Sequence, residues 1–123
     1  MRTVASRLQI PPAATVVVLG RPAGSHLELP SDCLVTGDPE DAATADAVVA
    51  FVVRADDLQG VGRPALDAAR EDRLAWLLYP KNRQLGTDLN RDVLAALAAE
   101  RGVQPVRQVA IDAVWSALRL RPA

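Results

Sequence analysis

The stretch Thr15-Val-Val-Val-Leu-Gly-Arg-Pro-Ala-Gly24 joins an apolar run to a turn that contains glycine and proline. Residues 15–19 are β-branched or aliphatic with no charge among them, which is typical of a strand buried on both faces. Such strands occur in parallel sheets that are covered by helices. Glycine and proline at residues 20–24 end the regular structure. This stretch therefore predicts the first strand of an α/β domain.

The length and composition of the chain bound its fold class. Its 123 residues, of which 50% are hydrophobic and 24% charged, suit one domain with a single hydrophobic core. Only 3% of the residues are aromatic, so we expect a core of aliphatic packing, as in parallel sheets. We predict a single Rossmann-like domain over residues 1–123.

Apolar runs alternate with helical patterns along the rest of the chain. The predicted elements are strands over residues 33–36, 46–53 and 74–79, and helices over residues 3–10, 56–72 (broken near Gly60 and Gly62) and from Thr87 or Asp88 to Gly102. This alternation indicates a mostly parallel sheet. Two C-terminal runs, residues 106–111 and 114–120, flank a tight connection and predict an antiparallel β-hairpin at one edge.

Two connections between the predicted strands are short. Residues 21–32 leave room for one small helix, and residues 37–45 for almost none. A parallel crossover usually takes about a dozen residues or more, so we expect one face of the sheet to be thinly covered. An exposed apolar face favours a partner chain, and a homodimer is therefore one of our hypotheses.

The charge balance argues against several classes of partner. The net charge is -1, so nothing in it favours nucleic acid or an anionic membrane, and few aromatic residues are present to stack on bases. The apolar run at residues 16–19 is too short for a signal peptide core or a membrane span. We expect a soluble, cytoplasmic protein that binds neither nucleic acid nor membranes.

The chain has one cysteine, Cys33, and one histidine, His26. A single cysteine excludes an internal disulfide and a cysteine-based metal site. A Ser–His–Asp or Cys–His centre would have to use one of these two residues, and Cys33 heads an apolar strand where we expect burial. We therefore predict no catalytic residue and no metal site.

The turn after the first strand lies where a dinucleotide-binding loop would be. Gly20 and Gly24 would let the backbone approach a ligand, whereas Pro22 stands between them and lacks an N–H group. Asp38 follows the second strand, eighteen positions after Gly20, and a carboxylate at roughly this distance can accept a hydrogen bond from ribose. The structural alternatives are a plain strand-to-helix turn and a turn aspartate within Gly-Asp-Pro.

The only lysine of the chain, Lys81, follows the fourth predicted strand. Lysine carries a compact charge, and Arg83 adds a second cation before the helix expected to begin at Thr87 or Asp88. Free N–H groups at a helix N-terminus attract anions, so we predict an anion-binding loop here. The alternative is structural: the helix end is satisfied by its own aspartates, and Lys81 pairs with Asp88 or Asp92.

The strand order, the turn and the hairpin resemble class I S-adenosylmethionine-dependent methyltransferases of reduced size. In that family the first strand ends in an acidic residue and a Gly-x-Gly-x-Gly loop, and a ribose-binding acid closes the second strand. Gly20, Gly24 and Asp38 match by position, and the resemblance implies S-adenosylmethionine as cofactor. Val18 replaces the acidic residue, Pro22 replaces the central glycine, and the third strand of the family is absent.

Four segments resemble a family of short, uncharacterised bacterial proteins, classed as a domain of unknown function. Its pattern is Leu-Gly-x-Pro-x-Gly, Tyr-Pro-Lys, Thr-Asp-Leu-Asn-Arg-Asp and Trp-Ser-Ala-Leu-Arg, which this chain carries at residues 19–24, 79–81, 87–92 and 115–119. The resemblance implies that Pro22 is a family trait. It supplies no activity.

These features lead to three hypotheses of function. The first is a non-catalytic module that binds a small anionic or nucleotide-like ligand near Gly20, Lys81 and Thr87. The second is a minimal or vestigial methyltransferase, whose cofactor S-adenosylmethionine the altered turn does not favour. The third is an oligomeric scaffold for protein interactions.

Overall fold

The computed structural model describes residues 3–123. Its strands are β1 (Thr15–Leu19), β2 (Leu34–Thr36), β3 (Ala47–Phe51), β4 (Leu74–Pro80), β5 (Val103–Ala110) and β6 (Trp115–Pro122). Its α-helices are α1 (Val4–Arg7), α2 (Arg63–Arg70) and α3 (Arg91–Ala99), and short 3₁₀ helices cover Pro39–Ala43, Ala55–Gln59 and Gln84–Gly86. Within residues 3–123, no helix is long and apolar enough to cross a membrane.

The six strands form one sheet in the order β2-β1-β3-β4-β6-β5. Strands β1 to β4 run parallel, with Val17 opposite Val48 between β1 and β3, and Val49 opposite Trp76 between β3 and β4. Strand β6 lies antiparallel between β4 and β5. This topology confirms the predicted fold class, a small Rossmann-like α/β fold with a C-terminal antiparallel hairpin.

Helices α2 and α3 cover one face of the sheet. Leu66 of α2 and Leu94 of α3 are buried in one apolar cluster with Leu77 of β4 and Leu118 of β6. Alternate residues of a strand point to the same face of the sheet. Leu77 of β4 therefore lies on this face, and its neighbours Trp76 and Leu78 lie on the opposite face.

The other face is covered by irregular chain rather than by a helix layer. Leu8, Ile10 and Leu27 pack against Trp76 and Val49, and both of these sheet residues are fully buried. The indole N–H of Trp76 donates to the carbonyl oxygen of Leu8 at 2.9 Å and fastens the N-terminal segment to the sheet. The expectation of a thinly covered apolar face was therefore wrong, because extended chain fills the space that no helix occupies.

The short connections hold different structure from that expected. Residues 21–32 contain no helix, whereas the connection after β2 forms the 3₁₀ helix Pro39–Ala43. The predicted break near Gly60 is confirmed, because it separates the 3₁₀ helix Ala55–Gln59 from α2. A 3₁₀ helix advances further per residue than an α-helix, and it suits a connection too short for an α-helix.

Candidate anion-binding site

The turn after β1 is packed against the chain's own residues. Gly20 has a φ of 70°, and a Cβ atom there would lie 2.8 Å from the carbonyl oxygen of Phe51 and 2.8 Å from Cγ2 of Val61. Glycine is therefore required by packing as well as by the left-handed backbone. Gly24, with a φ of 81°, has open space around its Cα. Pro22 is half-buried between these two glycines.

Asp38 directs its side chain to its own backbone. Its Oδ1 accepts a hydrogen bond from the N–H of Glu40 at 2.9 Å, and its N–H donates to Oγ1 of Thr36 at 3.1 Å. The aspartate thus caps the 3₁₀ helix Pro39–Ala43. This geometry agrees with the turn aspartate that the Gly-Asp-Pro sequence favours.

These residues do not fit S-adenosylmethionine. The close approach that Gly20 permits is occupied by Val61, so the glycine leaves no cradle there for a ligand. Val18 stands where the family's acid would be, and Oδ1 of Asp38 is engaged by the backbone of Glu40. The altered turn sequence and the packing of Gly20 therefore both argue against a fit to S-adenosylmethionine.

Thr87 and Asp88 attach the loop before α3 to the chain that follows β3. The hydroxyl of Thr87 donates to the carbonyl oxygen of Val53 and accepts from the N–H of Leu89 at 3.0 Å. Oδ1 of Asp88 accepts from the N–H of Ala55 at 2.9 Å. Thr87 is buried, so its hydroxyl serves this attachment.

The predicted start of the helix at Thr87 or Asp88 was wrong. Helix α3 begins at Arg91, and the side chain of Asn90 caps it by accepting from the N–H of Val93 at 2.8 Å. Thr87 and Asp88 do not cap α3, because their oxygens bind Val53 and Ala55 in the chain that follows β3. Asparagine ranks with the best N-cap residues, so the sequence did carry the signal for Asn90.

Asp88 pairs with Arg54 rather than with Lys81. A guanidinium nitrogen of Arg54 lies 3.6 Å from Oδ2 of Asp88, and the same side chain donates to the carbonyl oxygen of Gly86 at 2.8 Å. In the described part of the chain, no carboxylate forms an ion pair with Lys81. The predicted alternative, an ion pair between Lys81 and Asp88 or Asp92, was therefore wrong.

Lys81 lies in a cavity of about 280 Å³ beside the start of α3. The cavity is lined by Tyr79, Pro80, Lys81, Asn82, Arg83, Leu89, Asn90 and Arg91. Three of these residues are cations and none is acidic. Within residues 3–123, none of the three cations forms an ion pair. The structure thus brings the predicted pair Lys81 and Arg83 together and adds Arg91, which the sequence did not single out.

The loop that carries Lys81 has an uncommon backbone. Asn82, Arg83 and Leu85 have φ values of 55°, 59° and 56°, in the left-handed region. Asparagine tolerates this region, but it costs Arg83 and Leu85 about 1 kcal/mol or more each. The hairpin tip holds the loop, because the N–H of Lys81 donates to the carbonyl oxygen of Val114 at 2.8 Å. The side chain of Gln84 donates to the carbonyl oxygen of Ala113 at 2.9 Å. Strain of this kind is found where a loop clamps a ligand.

A second cleft, of about 510 Å³, lies on the other side of the hairpin tip. It is lined by Val4, Gly24, Ser25, His26, Glu28, Ile111, Asp112, Val114 and Trp115. Gly24 and Lys81 therefore line separate cavities, and Gly20 and Asp38 line neither. The single crevice expected between the Gly20 turn and Lys81 was therefore wrong. The hairpin tip lines the cavity at Gly24, and its carbonyl oxygens accept hydrogen bonds from the loop that carries Lys81.

Comparison with known proteins identifies no family and no activity for this chain. Neither a protein-family model nor a curated protein matches the chain. Among solved structures, the chain is similar to a ribosomal protein L11 methylase from Lactobacillus delbrueckii subsp. bulgaricus, at 17% sequence identity and a TM-score of 0.49. The match covers 96% of this chain and 74% of that one. A likeness of this degree says nothing about activity; the α/β fold follows from the sheet topology itself.

Proposed function

We propose that this protein is a binding module for a small anion, which the cavity at Lys81, Arg83 and Arg91 holds. The observation that carries the proposal is that, among the described residues, no carboxylate lines the cavity and none forms an ion pair with these three cations. Other arginines, such as Arg73 and Arg121, do have acidic partners. Like charges gathered in one cavity repel each other, and a bound anion relieves that repulsion.

The start of α3 supplies further positive potential. Asn90 satisfies the N–H of Val93, and the carbonyl oxygen of Asn90 accepts from the N–H of Leu94. The first two N–H groups of the helix, at Arg91 and Asp92, have no acceptor within the helix. Such groups favour anions at a helix N-terminus, although the side chain of Asp92 opposes part of the field.

The size of the cavity favours a compact ligand. Its volume of about 280 Å³ lies just below the range for small-molecule sites, which is roughly 300–1,000 Å³. A phosphate or a phosphate monoester suits this space better than a complete dinucleotide. Guanidinium and ammonium groups together bind phosphate oxygens both through paired hydrogen bonds and through charge.

The lining residues suit binding better than proton transfer. Lys81, Arg83 and Arg91 are cations in water at neutral pH, and the cavity walls carry no histidine, cysteine or carboxylate. Histidine and the carboxylates are the commonest general acids and bases, and the hydroxyl of Tyr79 already accepts a hydrogen bond from the side chain of Gln108 at 3.0 Å. The proposed role is therefore recognition and retention of the anion.

Titration with inorganic phosphate, phenyl phosphate and adenosine monophosphate tests this proposal, with ionic strength held constant by sodium chloride. We expect phosphate to raise the melting temperature of the wild-type protein, since a ligand at about ten times its Kd stabilises the folded state by roughly 1.4 kcal/mol. A triple variant, Lys81→Gln with Arg83→Gln and Arg91→Gln, should lose this effect.

Arg107→Gln is the matched control, because Arg107 is exposed on β5 and does not line the cavity. This variant should respond to phosphate as the wild type does. Equal stabilisation of the triple variant and the wild type would refute the anion site, because phosphate also stabilises folded proteins through exclusion from their surfaces. S-adenosylmethionine belongs in the same titration: binding that weakens in Asp38→Ala would support the methyltransferase alternative instead.

A further inference from the structure

The two edges of the sheet differ in how they are protected. An edge strand presents unpaired N–H and C=O groups, and proteins usually blunt it with proline, bulges or charged side chains. Strand β5 has all three: Pro105, a register irregularity between Pro105 and Arg107, and the exposed charge of Arg107 itself. Strand β2, at the opposite edge, has none of them within Leu34–Thr36 and is protected only by its shortness.

The β2 edge exposes apolar side chains beside free backbone groups. Leu34 is 69% exposed and Val35 is 48% exposed. The N–H of Leu34 donates to the carbonyl oxygen of Ala14, on the β1 side of the strand. Since backbone groups of successive strand residues point to opposite sides, the N–H and C=O of Val35 point away from β1, to the open edge.

The surroundings of β2 are acidic. Residues 22–53 contain no lysine or arginine but six acidic residues: Glu28, Asp32, Asp38, Glu40, Asp41 and Asp46. None of the six forms an ion pair among residues 3–123. Arg73 reaches this segment, but it donates to the carbonyl oxygens of Ala42 and Ala45 and pairs with Glu71 rather than with any of the six. The excess of acidic residues favours a partner that carries positive charge.

A second copy of this chain is a poor occupant of the edge. If two β2 strands paired antiparallel about Val35, Asp32 of one copy would stand opposite Asp38 of the other, twice in the interface. Like charges directly opposite across two strands are destabilising. The β5 edge of another copy carries the proline and the irregularity already described, and both interrupt a hydrogen-bonded ladder.

We propose that β2 is a docking edge for an extended segment of a partner protein. The segment pairs with the N–H and C=O of Val35 as an added strand and packs β-branched side chains against Leu34 and Val35. Lysine or arginine at its two ends faces Asp32 and Asp38. Backbone pairing supplies the affinity in this mode of recognition, and the side chains and charges supply the specificity.

A synthetic peptide, acetyl-Lys-Lys-Val-Thr-Val-Thr-Lys-Lys-amide, is the probe, and the same peptide with glutamate in place of lysine is its control. We expect the lysine peptide to bind the full chain at least roughly tenfold more tightly and to weaken as salt rises. Amide hydrogen exchange of Val35 should slow when the peptide is bound, because its N–H gains an acceptor.

Two variants of the protein distinguish backbone pairing at the β2 edge from nonspecific charge attraction between peptide and protein. Val35→Pro removes the outward N–H and leaves the backbone bonds of β2 to β1 in place, a change that an edge strand tolerates, and it should abolish binding. Leu34→Ser lies at an exposed position and should weaken binding without affecting folding. Leu85→Ser, at another exposed apolar residue, is the control and should bind like the wild type.

Equal binding of the lysine and glutamate peptides, or undiminished binding to Val35→Pro, would overturn the proposal. Self-association of the wild type in sedimentation that disappears in Val35→Pro would also overturn it, because it would assign the edge to a second copy. Phosphate titration of Val35→Pro should match that of the wild type. Failure of the docking proposal can therefore be distinguished from failure of the proposed anion site.

Discussion

Val61 lies against Gly20 so closely that a Cβ atom on the glycine would come within 2.8 Å of Cγ2 of Val61. The carbonyl oxygen of Phe51 would stand at the same distance on the neighbouring strand. The turn after β1 is therefore filled by the chain itself. This turn resembles a cofactor loop in its sequence and in its place in the sheet. It differs in its packing, because the chain itself fills the space beside Gly20.

Gly20→Ala should destabilise the fold far more than Gly24→Ala. Both glycines have positive φ, which costs alanine about 1–2 kcal/mol, but only Gly20 also meets backbone and side-chain atoms. Overpacking adds about 1–3 kcal/mol at Gly20. Urea unfolding of the two variants measures the difference, and equal losses of unfolding free energy would show that Val61 and Phe51 yield to the added methyl group.

The hydroxyl of Thr87 should matter for stability rather than for anion binding. Thr87→Val leaves the carbonyl oxygen of Val53 and the N–H of Leu89 without a partner, and an unsatisfied buried group costs about 1–3 kcal/mol. Thr87→Ser keeps the hydroxyl and should unfold near the wild-type midpoint. A Thr87→Val protein as stable as Thr87→Ser would contradict this role.

Substitutions of Asn90 can distinguish its role as the cap of α3 from its place in the wall of the anion cavity. Asn90→Asp keeps an oxygen that can accept from the N–H of Val93, so stability should hold. The new carboxylate would line the same cavity as Lys81, and phosphate affinity should fall several-fold because the two anions repel. Asn90→Ala should show the reverse: a loss of about 1 kcal/mol in stability with phosphate binding largely retained.

Phosphate titrations and urea unfolding of the same two variants check this pair of effects. Unchanged phosphate affinity in Asn90→Asp would place the anion outside the cavity beside α3.

Stability should depend on pH through Asp72. Two hydrogen bonds from Arg121, at 2.9 and 3.0 Å, hold the pKa of the Asp72 carboxyl below its ordinary value. A carboxyl whose pKa is lowered by folding stabilises the protein above its unfolded pKa, and this contribution is lost as pH falls through the lowered value. Arg121 stays charged throughout this range.

Asp72→Asn should therefore lower the melting temperature slightly at pH 7 and leave it unchanged in strong acid. Asparagine also tolerates the φ of 58° at this position, so the backbone is not perturbed. Thermal melts of both proteins across the acidic range measure the effect. The ion pair is exposed, so the shift should be small and should shrink further in high salt.

The sequence predicted most of the fold because its signals are local. The apolar runs that became β1 and β4 are buried, and their flanking glycines and prolines mark their ends. The hairpin was also predicted, although β5 and β6 each extend beyond the expected bounds. Strand period and turn composition act over a few residues, so they can be recognised without knowledge of the neighbours.

The candidate site was predicted only in part. Lys81 and Arg83 were expected beside the start of a helix, and the structure places them there with Arg91. Asn90 as the cap could have been recognised from its residue type. The separation of Gly24 from Lys81 could not, because it depends on the hairpin tip, whose contact with the loop joins residues far apart in the chain.

The sequence by itself determined the buried strands, their breaks and the presence of one lysine after the fourth strand. Only the tertiary structure decided which charges are paired. Arg54 follows β3 and pairs with Asp88, which follows the neighbouring strand β4, and no carboxylate of the described chain forms an ion pair with Lys81. The physical reason is that hydrophobic periodicity is carried by adjacent residues, whereas an ion pair depends on which strands the fold brings side by side.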